Sequence, residues 1–461
     1  QAGISDYLIL EKADDVGGVW RDNQYPGAAC DVPSHLYSFS FEPKHDWSRK
    51  FAPQAEIHAY ILQCVENHRL RPHIRLNSEV LGAEFDVECG VWRVELAGGE
   101  VIEAQALVSA CGQLNRPAYP KLPGLENFRG EAFHSARWRH DLDLSGKRVA
   151  VIGTGASAIQ FVPQIQPKVA SLSLFQRSAA YVLAKPDRRY RRWEIALKQR
   201  WPIWQRADRL LQYLHHEGRA VAFIRFPWLM RLFRHSFTRH LRRQMPDAHK
   251  RAQLQPDYPM GCKRILISND YFPALAQANV EIVDSAIREV REHSLVTADG
   301  REYPCDVLIY GTGFTASDFL APMRIRGLDG MELNQAWKDG AEAYKGISVS
   351  GFPNLFLLYG PNTNLGHNSI LYMLESQYAY VLGCMRALRE QRLRYLDLRA
   401  RVQRAYNLDL QQATHRTIWA QGCDSWYQTA TGKHTNNWPG FTFTYRLMTR
   451  TPELADYDCV R

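Results

Sequence analysis

Lys147-Arg148-Val149-Ala150-Val151-Ile152-Gly153-Thr154-Gly155-Ala156-Ser157-Ala158 is the stretch that decides the fold. Its first six residues read as a buried parallel strand, and G-x-G-x-x-A follows without a gap. From Ala156 the apolar residues recur at helical spacing as far as Ile165, ahead of Pro167. A strand, a turn of small residues and a helix, in that order, make a cradle for a dinucleotide. Small side chains let the backbone approach a pyrophosphate, whose charge rests on the helix N-terminus. Gly153, Thr154, Gly155, Ala156 and Ser157 are therefore candidate cofactor-binding residues. The next strand, Leu172-Ser173-Leu174-Phe175, ends in Gln176-Arg177, where an NAD site would carry an acid. A guanidinium there suits a 2′-phosphate, so Arg177 predicts NADPH, with Lys263 as a second positive charge.

A related unit opens the chain. Tyr7-Leu8-Ile9-Leu10 reads as a short parallel strand, and Glu11 ends it where a dinucleotide fold places the acid that binds a ribose. That acid follows its own glycine-rich turn by about 20 residues. The first strand and turn of this unit are thus expected ahead of residue 1, which leaves flavin binding by the present residues an open question. Further on come a hairpin around Asp299-Gly300, the strand Val307-Leu308-Ile309-Tyr310 before Gly311-Thr312-Gly313-Phe314, a buried strand at 353–358, a helix over 370–391 and a loop-rich tail after Gly422.

Between residues 186 and 259 the α/β pattern is interrupted by a helical, aromatic and basic insert, which Pro202, Pro227 and Pro246 are expected to break into short helices. Leu229, Leu232, Phe233, Phe237 and Leu241 share one helical stripe, with Arg231, Arg234, Arg239, Arg242 and Arg243 around it. Two readings stand: helices that pack the apolar stripe on the enzyme with arginine toward water, or a weak contact with a membrane surface or a lipophilic substrate. No nucleic-acid-binding fold is recognisable in it, so nucleic acid is not an expected partner. The insert also accounts for the charge. Of the net +9, the span 181–251 carries 18 Lys and Arg against 5 Asp and Glu, leaving the rest of the chain slightly acidic.

Nine cysteines are scattered without a C-x-x-C pair or metal-ligand spacing, so they read as reduced structural thiols and no metal site is expected. No apolar run reaches the roughly 18 residues of a membrane span, and the first residues lack the order of a signal peptide. A cytoplasmic enzyme, monomeric or a small homo-oligomer, is the expectation.

Phe128-x-Gly130-x-x-x-His134-x-x-x-Trp138 is similar to the F-x-G-x-x-x-H-x-x-x-W fingerprint of Baeyer–Villiger monooxygenases, and it lies just before the Gly153 turn, as in that family. Gly17-Gly18-x-Trp20 and Tyr25-Pro26-Gly27-x-x-x-Asp31 match a second signature of the family. With Lys263-Arg264 and Gly311-Thr312-Gly313-Phe314, the resemblance covers essentially the whole chain. After the fingerprint tryptophan, where the family usually has Pro or Asp, this chain has Arg139. Ser425-Trp426-Tyr427 and Asn437-Trp438-Pro439-Gly440 look closest to the subgroup of 4-hydroxyacetophenone monooxygenase.

The resemblance implies an α/β chain of two nested Rossmann-like domains, each a doubly wound parallel sheet. Residues 1–143 and 314–461 would be the two parts of an FAD domain, 144–185 and 260–313 an NADPH domain, and 186–259 the helical insert. It further implies NADPH and O2 as co-substrates and a flavin peroxide that oxygenates a ketone to an ester or lactone. Arg264 would stabilise the peroxide charge and Asp31 would orient Arg264 and contact the cofactor. Glu11, Gly18, Trp20 and Tyr25 would hold or wall the flavin, His134 would lie in the interdomain linker, and Trp426 and Tyr427 are substrate-pocket candidates. The competing readings are a nitrogen- or sulfur-oxygenating relative and a non-oxygenating NADPH-flavin reductase or flavin-binding regulatory protein.

Overall fold

Val149, Ala150 and Val151 are buried, and the strand Arg148–Ile152 that carries them is central in a sheet of five parallel strands. The computed structural model describes residues 3–420, 422, 427–429 and 431–461. Across the sheet the order is Val280–Val283, Ser171–Phe175, Arg148–Ile152, Val307–Tyr310 and Glu131–His134. The chain leaves the central strand toward one side and later returns to the other, so a crevice opens at the carboxyl ends of Arg148–Ile152 and Val307–Tyr310. That is where open α/β sheets bind ligands. Gly153 stands at the crevice with φ +107°, and a Cβ there would lie 2.4 Å from the carbonyl oxygen of Gly311. The turn after one strand is thus pressed against the turn after its neighbour, which only glycine allows.

Glu131–His134 is a difference from the expected layout. It precedes residue 144, yet it pairs in parallel with Val307–Tyr310 and extends the inner sheet. Gly130, just ahead of it, has no room for a side chain: a Cβ would meet the carbonyl oxygen of Asp306 at 2.4 Å and the Phe128 ring at 2.6 Å. Two fingerprint residues therefore dock the strand edge. We expect Gly130→Ala to force this edge strand outward and to destabilise the protein by about 1–3 kcal/mol, the usual range for overpacking. Chemical denaturation of the variant checks it, and an unchanged midpoint would show that the edge yields freely.

The outer domain is assembled from distant segments. Ile9–Leu10 pairs with Ile74–Arg75, and Leu107–Ser109 pairs with Leu355–Leu357, each in parallel. A four-stranded sheet of Arg324–Arg326, Val80–Asp86, Val91–Leu96 and Val101–Ala104 covers one flank. The hairpin at Asp299-Gly300 forms between Ser294–Thr297 and Glu302–Pro304, and the helix near 370 runs Ile370–Glu390. The tail is more ordered than its composition implies: Thr442–Met448 is a helix, and Tyr457–Val460 pairs with Tyr395–Leu398. Cys262 is disulfide-bonded, against the reading of nine reduced thiols, while the other seven described cysteines are free.

The insert is tied at its neck by Val182–Leu183 pairing with Leu266–Ile267. Its helices are longer than expected, because Pro202 opens a helix of 19 residues, Pro202–Ala220, where its missing N–H costs nothing. In the later helix Met230–Gln244, Phe237 and Leu241 join the core of the inner domain as the stripe requires, but Leu232 is 67% exposed.

Candidate active site between two glycine-rich turns

Asp31 and Arg264, 233 residues apart in sequence, meet beside this crevice. Nε of Arg264 at 3.1 Å and Nη2 at 2.6 Å both donate to Oδ2 of Asp31. Asp31 ends the loop from Tyr25, which is held by Cys30 N–H donating to the Ala52 carbonyl. Arg264 enters just before Leu266–Ile267, so the insert's neck fixes its height. Burial opposes ionisation of Asp31, but the Arg264 charge outweighs it and holds the carboxyl below its usual range. The same attraction raises Arg264 further above neutrality, so the guanidinium is permanently charged. The two side chains remain 35% and 28% exposed. A pair that open is worth about 0–1 kcal/mol to the fold, too little to explain it as a staple, and it leaves the other edge of the guanidinium available to a ligand.

Tyr427 and Tyr359 flank the pair closely enough for their hydroxyls to interact electrostatically with Arg264, and burial raises both phenols. Tyr427 is fully buried; Trp426, the other pocket candidate, lies outside the described residues. Tyr359 was not foreseen. It follows the strand Leu355–Leu357, donates to Oδ1 of Asn364 at 2.7 Å, and accepts from Gln113 Nε2 at its carbonyl. Among the described residues Oε1 of Gln113 is buried with no hydrogen-bond partner, an acceptor that a bound group with an N–H or O–H would satisfy. Lys185 also approaches Asp31, and burial lowers its pKa. The signals that could have found these residues are a Tyr-Gly-Pro-Asn turn after a buried strand and a lysine at the neck of a basic insert.

The remaining candidates separate into groups. Glu11 follows Ile9–Leu10 as expected; its Oε1 accepts from Ala13 N–H at 2.9 Å and Arg21 lies 3.7 Å away. Gly18, at φ +52°, caps the short helix Val19–Asp22, which carries half-buried Trp20 with its Nε1 donating to Tyr37 at 3.1 Å. Tyr25 is buried against the inner domain, its hydroxyl on Oε1 of Gln160 at 2.9 Å and its ring edge-on to Phe161. On the inner domain, Gly155 and Ala156 are exposed at the turn, and Ala158–Ile165 follows as the helix whose N-terminus faces it. Thr154 Oγ1 donates to the Ser178 carbonyl, Lys263 Nζ donates to Ser178 Oγ, both at 3.2 Å, and exposed Arg177 is the neighbouring residue. Turn and ammonium therefore meet at Ser178, and Arg177 precedes it in the chain. They fit a dinucleotide with an extra phosphate: open backbone at a helix N-terminus and two cations one strand away.

His134 is fully buried with both ring nitrogens satisfied. Nδ1 accepts from Ala136 N–H at 3.1 Å, which leaves Nε2 as the donor to the Gly313 carbonyl at 3.0 Å. Burial lowers its pKa against the pull of that carbonyl, so it is neutral and joins the fingerprint to the Gly311-Thr312-Gly313-Phe314 turn. Trp138 packs on Phe133 and Phe161, beneath the helix that follows the cradle. Arg139 points elsewhere: it is exposed and paired with Asp141 and Glu131.

Residues 5–325 match the flavin-binding monooxygenase-like family. A Baeyer-Villiger monooxygenase of Pseudomonas aeruginosa is 48% identical over 99% of this chain and 87% of its own length. Among solved structures, an oxidised steroid monooxygenase bound to NADP superposes with a TM-score of 0.87 at 28% identity, over 98% of this chain and 94% of that one. OTEMO in complex with FAD and NADP gives a TM-score of 0.88 at 25% identity, with the same shares covered. With the family match spanning well over half of its length and a relative of this identity along nearly all of it, the chain belongs to the flavin-binding monooxygenase-like family.

Proposed function

We propose that this chain is an FAD-dependent monooxygenase that uses NADPH and O2 to insert one oxygen atom beside a ketone carbonyl, giving an ester or lactone, NADP+ and water. The observation that carries the reading is the Arg264–Asp31 pair, a fixed and permanently charged guanidinium with one edge open, next in the chain to the Lys263 that bonds Ser178 near the Gly153 turn. Bound flavin supplies the oxygen activation, drawing its electrons from NADPH.

The chain's own residues bind and orient. Glu11, Gly18 and Trp20 take the flavin nucleotide at the outer domain. Gly153 to Ser157 take the NADPH pyrophosphate, and Arg177 with Lys263 takes its 2′-phosphate. Arg264 offers its open edge to negative charge as oxygen is transferred, and Asp31, which contacts it only through Oδ2, positions it. Tyr359 and Tyr427, whose phenols burial raises, flank the pair near Arg264. His134 and Trp138 touch no ligand in this reading; they hold the two turns in register.

The test is turnover of the FAD-loaded enzyme under labelled oxygen with a series of aryl and aliphatic ketones. One label in the ester for each NADPH consumed is the expected result. NADPH oxidation that yields only hydrogen peroxide across the series would point to a reductase, and label confined to sulfoxides or amine oxides would point to heteroatom oxygenation.

A further inference from the structure

The helix Pro202–Ala220 is packed inside out. Gln205, Asp208, Arg209 and Glu217 turn toward the enzyme: Gln205 donates to the Lys44 carbonyl at 3.0 Å, and Arg209 donates to the carbonyls of His35 and Ser38, both at 2.7 Å. Asp208 receives the buried Lys198 of the preceding helix, Arg192–Arg200. Glu217 accepts from Thr442 N–H at 2.6 Å, Thr442 Oγ1 at 2.8 Å and Asn368 Nδ2 at 2.7 Å. The opposite face is apolar and in water. Ile203, Leu210, Leu211 and Leu214 are 65%, 56%, 66% and 55% exposed, with Ala207 between them at helical spacing. A surface helix ordinarily does the reverse.

The exposure extends along the insert. Ten of the 23 large apolar side chains that are exposed among the described residues lie between Trp193 and Leu232, and four of them are tryptophans: Trp193, Trp201, Trp204 and Trp228. Soluble monomers rarely leave such a concentration in water, and it marks an interaction surface. In the same span Arg192, Arg200, Arg206, Arg225, Arg231 and Arg234 are exposed, and among the described residues none of these six is in an ion pair.

We infer that this face of the insert docks on an anionic lipid bilayer, lying in the interface without crossing it. Charge complementarity selects the occupant. A second copy of the chain would bring the same face, in a span of net charge +13, against itself across a two-fold axis, and like charges so placed repel. An anionic headgroup layer satisfies the arginines while the leucines enter the acyl boundary, and tryptophan prefers that boundary because its ring is apolar and its N–H polar. No described helix is long and apolar enough to cross a membrane, in keeping with surface docking. Trp228 and Arg231 also line a surface cavity of about 430 Å³ with Met230, Met260 and Ile418.

Co-sedimentation of the FAD-loaded enzyme with vesicles tests this. With phosphatidylcholine vesicles containing roughly a third phosphatidylglycerol, the enzyme should pellet, and raised salt should release it. Leu210→Glu with Leu211→Glu should lower the bound fraction roughly tenfold, since the lost area is that of the inserted face. Both leucines already lie in water, so the thermal midpoint and turnover of a water-soluble ketone should not change. Arg200→Glu with Arg206→Glu should abolish the preference for anionic over neutral vesicles while leaving the apolar face intact. Failure to pellet with anionic vesicles, or undiminished pelleting of the Leu210/Leu211 variant, overturns the inference. So does a dimer in sedimentation velocity that this variant converts to monomer, which would assign the face to a second copy.

Discussion

Arg264→Ala should retain NADPH oxidation and lose oxygenated product. Removing one preorganised cation from a developing negative charge costs about 3–4 kcal/mol, or roughly 10²–10³ in the rate of the step that needs it. In the proposed reading hydride delivery depends on the Gly153 turn and the Arg177–Lys263 corner, where Lys263 is engaged with Ser178, whereas the Arg264 guanidinium is engaged with Asp31. NADPH should therefore still be consumed, with hydrogen peroxide released in place of ester. Arg264→Lys should fall between, because an ammonium restores the charge but cannot set Nε and Nη2 together on Asp31. Asp31→Ala should act in the same direction but more weakly: it frees the guanidinium to rotate and does not remove its charge. The ratio of ester formed to NADPH consumed is the measurement, with peroxide assayed in parallel. A normal ratio in Arg264→Ala would remove Arg264 from the oxygenation step. A ratio lowered as far by Asp31→Ala would mean that orientation, and not charge alone, sets the effect.

The parts of this molecule legible in the sequence are those that local chemistry dictates. The Gly153 turn could be read because strand, glycine and helix are consecutive, and the structure adds the reason for the glycine, the Gly311 carbonyl 2.4 Å from any Cβ. The Asp31–Arg264 contact joins segments 233 residues apart, and no period or spacing encodes it; only motif positions brought the two names together. Tyr359 and Gln113 carry no motif; a buried turn sets Tyr359 near Arg264, and Gln113 bonds the Tyr359 carbonyl. Glu131–His134 was hidden because a four-residue edge strand has too short a pattern to register. The helix Pro202–Ala220 shows a different limit. Periodicity reveals that a helix has two faces, but the side that turns inward is set by the partner surface, here the carbonyls of His35, Ser38 and Lys44, which demand donors. Desolvating Arg209 and Glu217 is tolerable because each finds partners, and the apolar face is what remains outside.

Arg177→Ala should raise the KM for NADPH by roughly 10- to 100-fold, the equivalent of losing one charge-assisted hydrogen bond at about 1.5–3 kcal/mol. The KM for NADH should change little, because NADH lacks the 2′-phosphate that the guanidinium is proposed to meet. Arg177 is exposed at the end of Ser171–Phe175, where an acid would serve a ribose hydroxyl, so the phosphate-free coenzyme has no counterpart for it. Lys263→Ala should shift the same preference by less. Its Nζ is already engaged with Ser178 Oγ at 3.2 Å and stands over the Tyr258 ring, and an ammonium matches a phosphate as a point charge without the planar fork. Lys263 adjoins Arg264, so its replacement would also disturb the guanidinium proposed to serve oxygenation. The yield of ester per NADPH separates the two effects: a pure coenzyme-binding loss leaves that yield unchanged at saturating NADPH, whereas a displaced Arg264 lowers it. The double variant should approach equal use of the two coenzymes. Loss of NADPH and NADH by the same factor in Arg177→Ala would show that the residue supports the domain without reading the phosphate, and the basis of the preference would then have to be sought among other groups around the crevice.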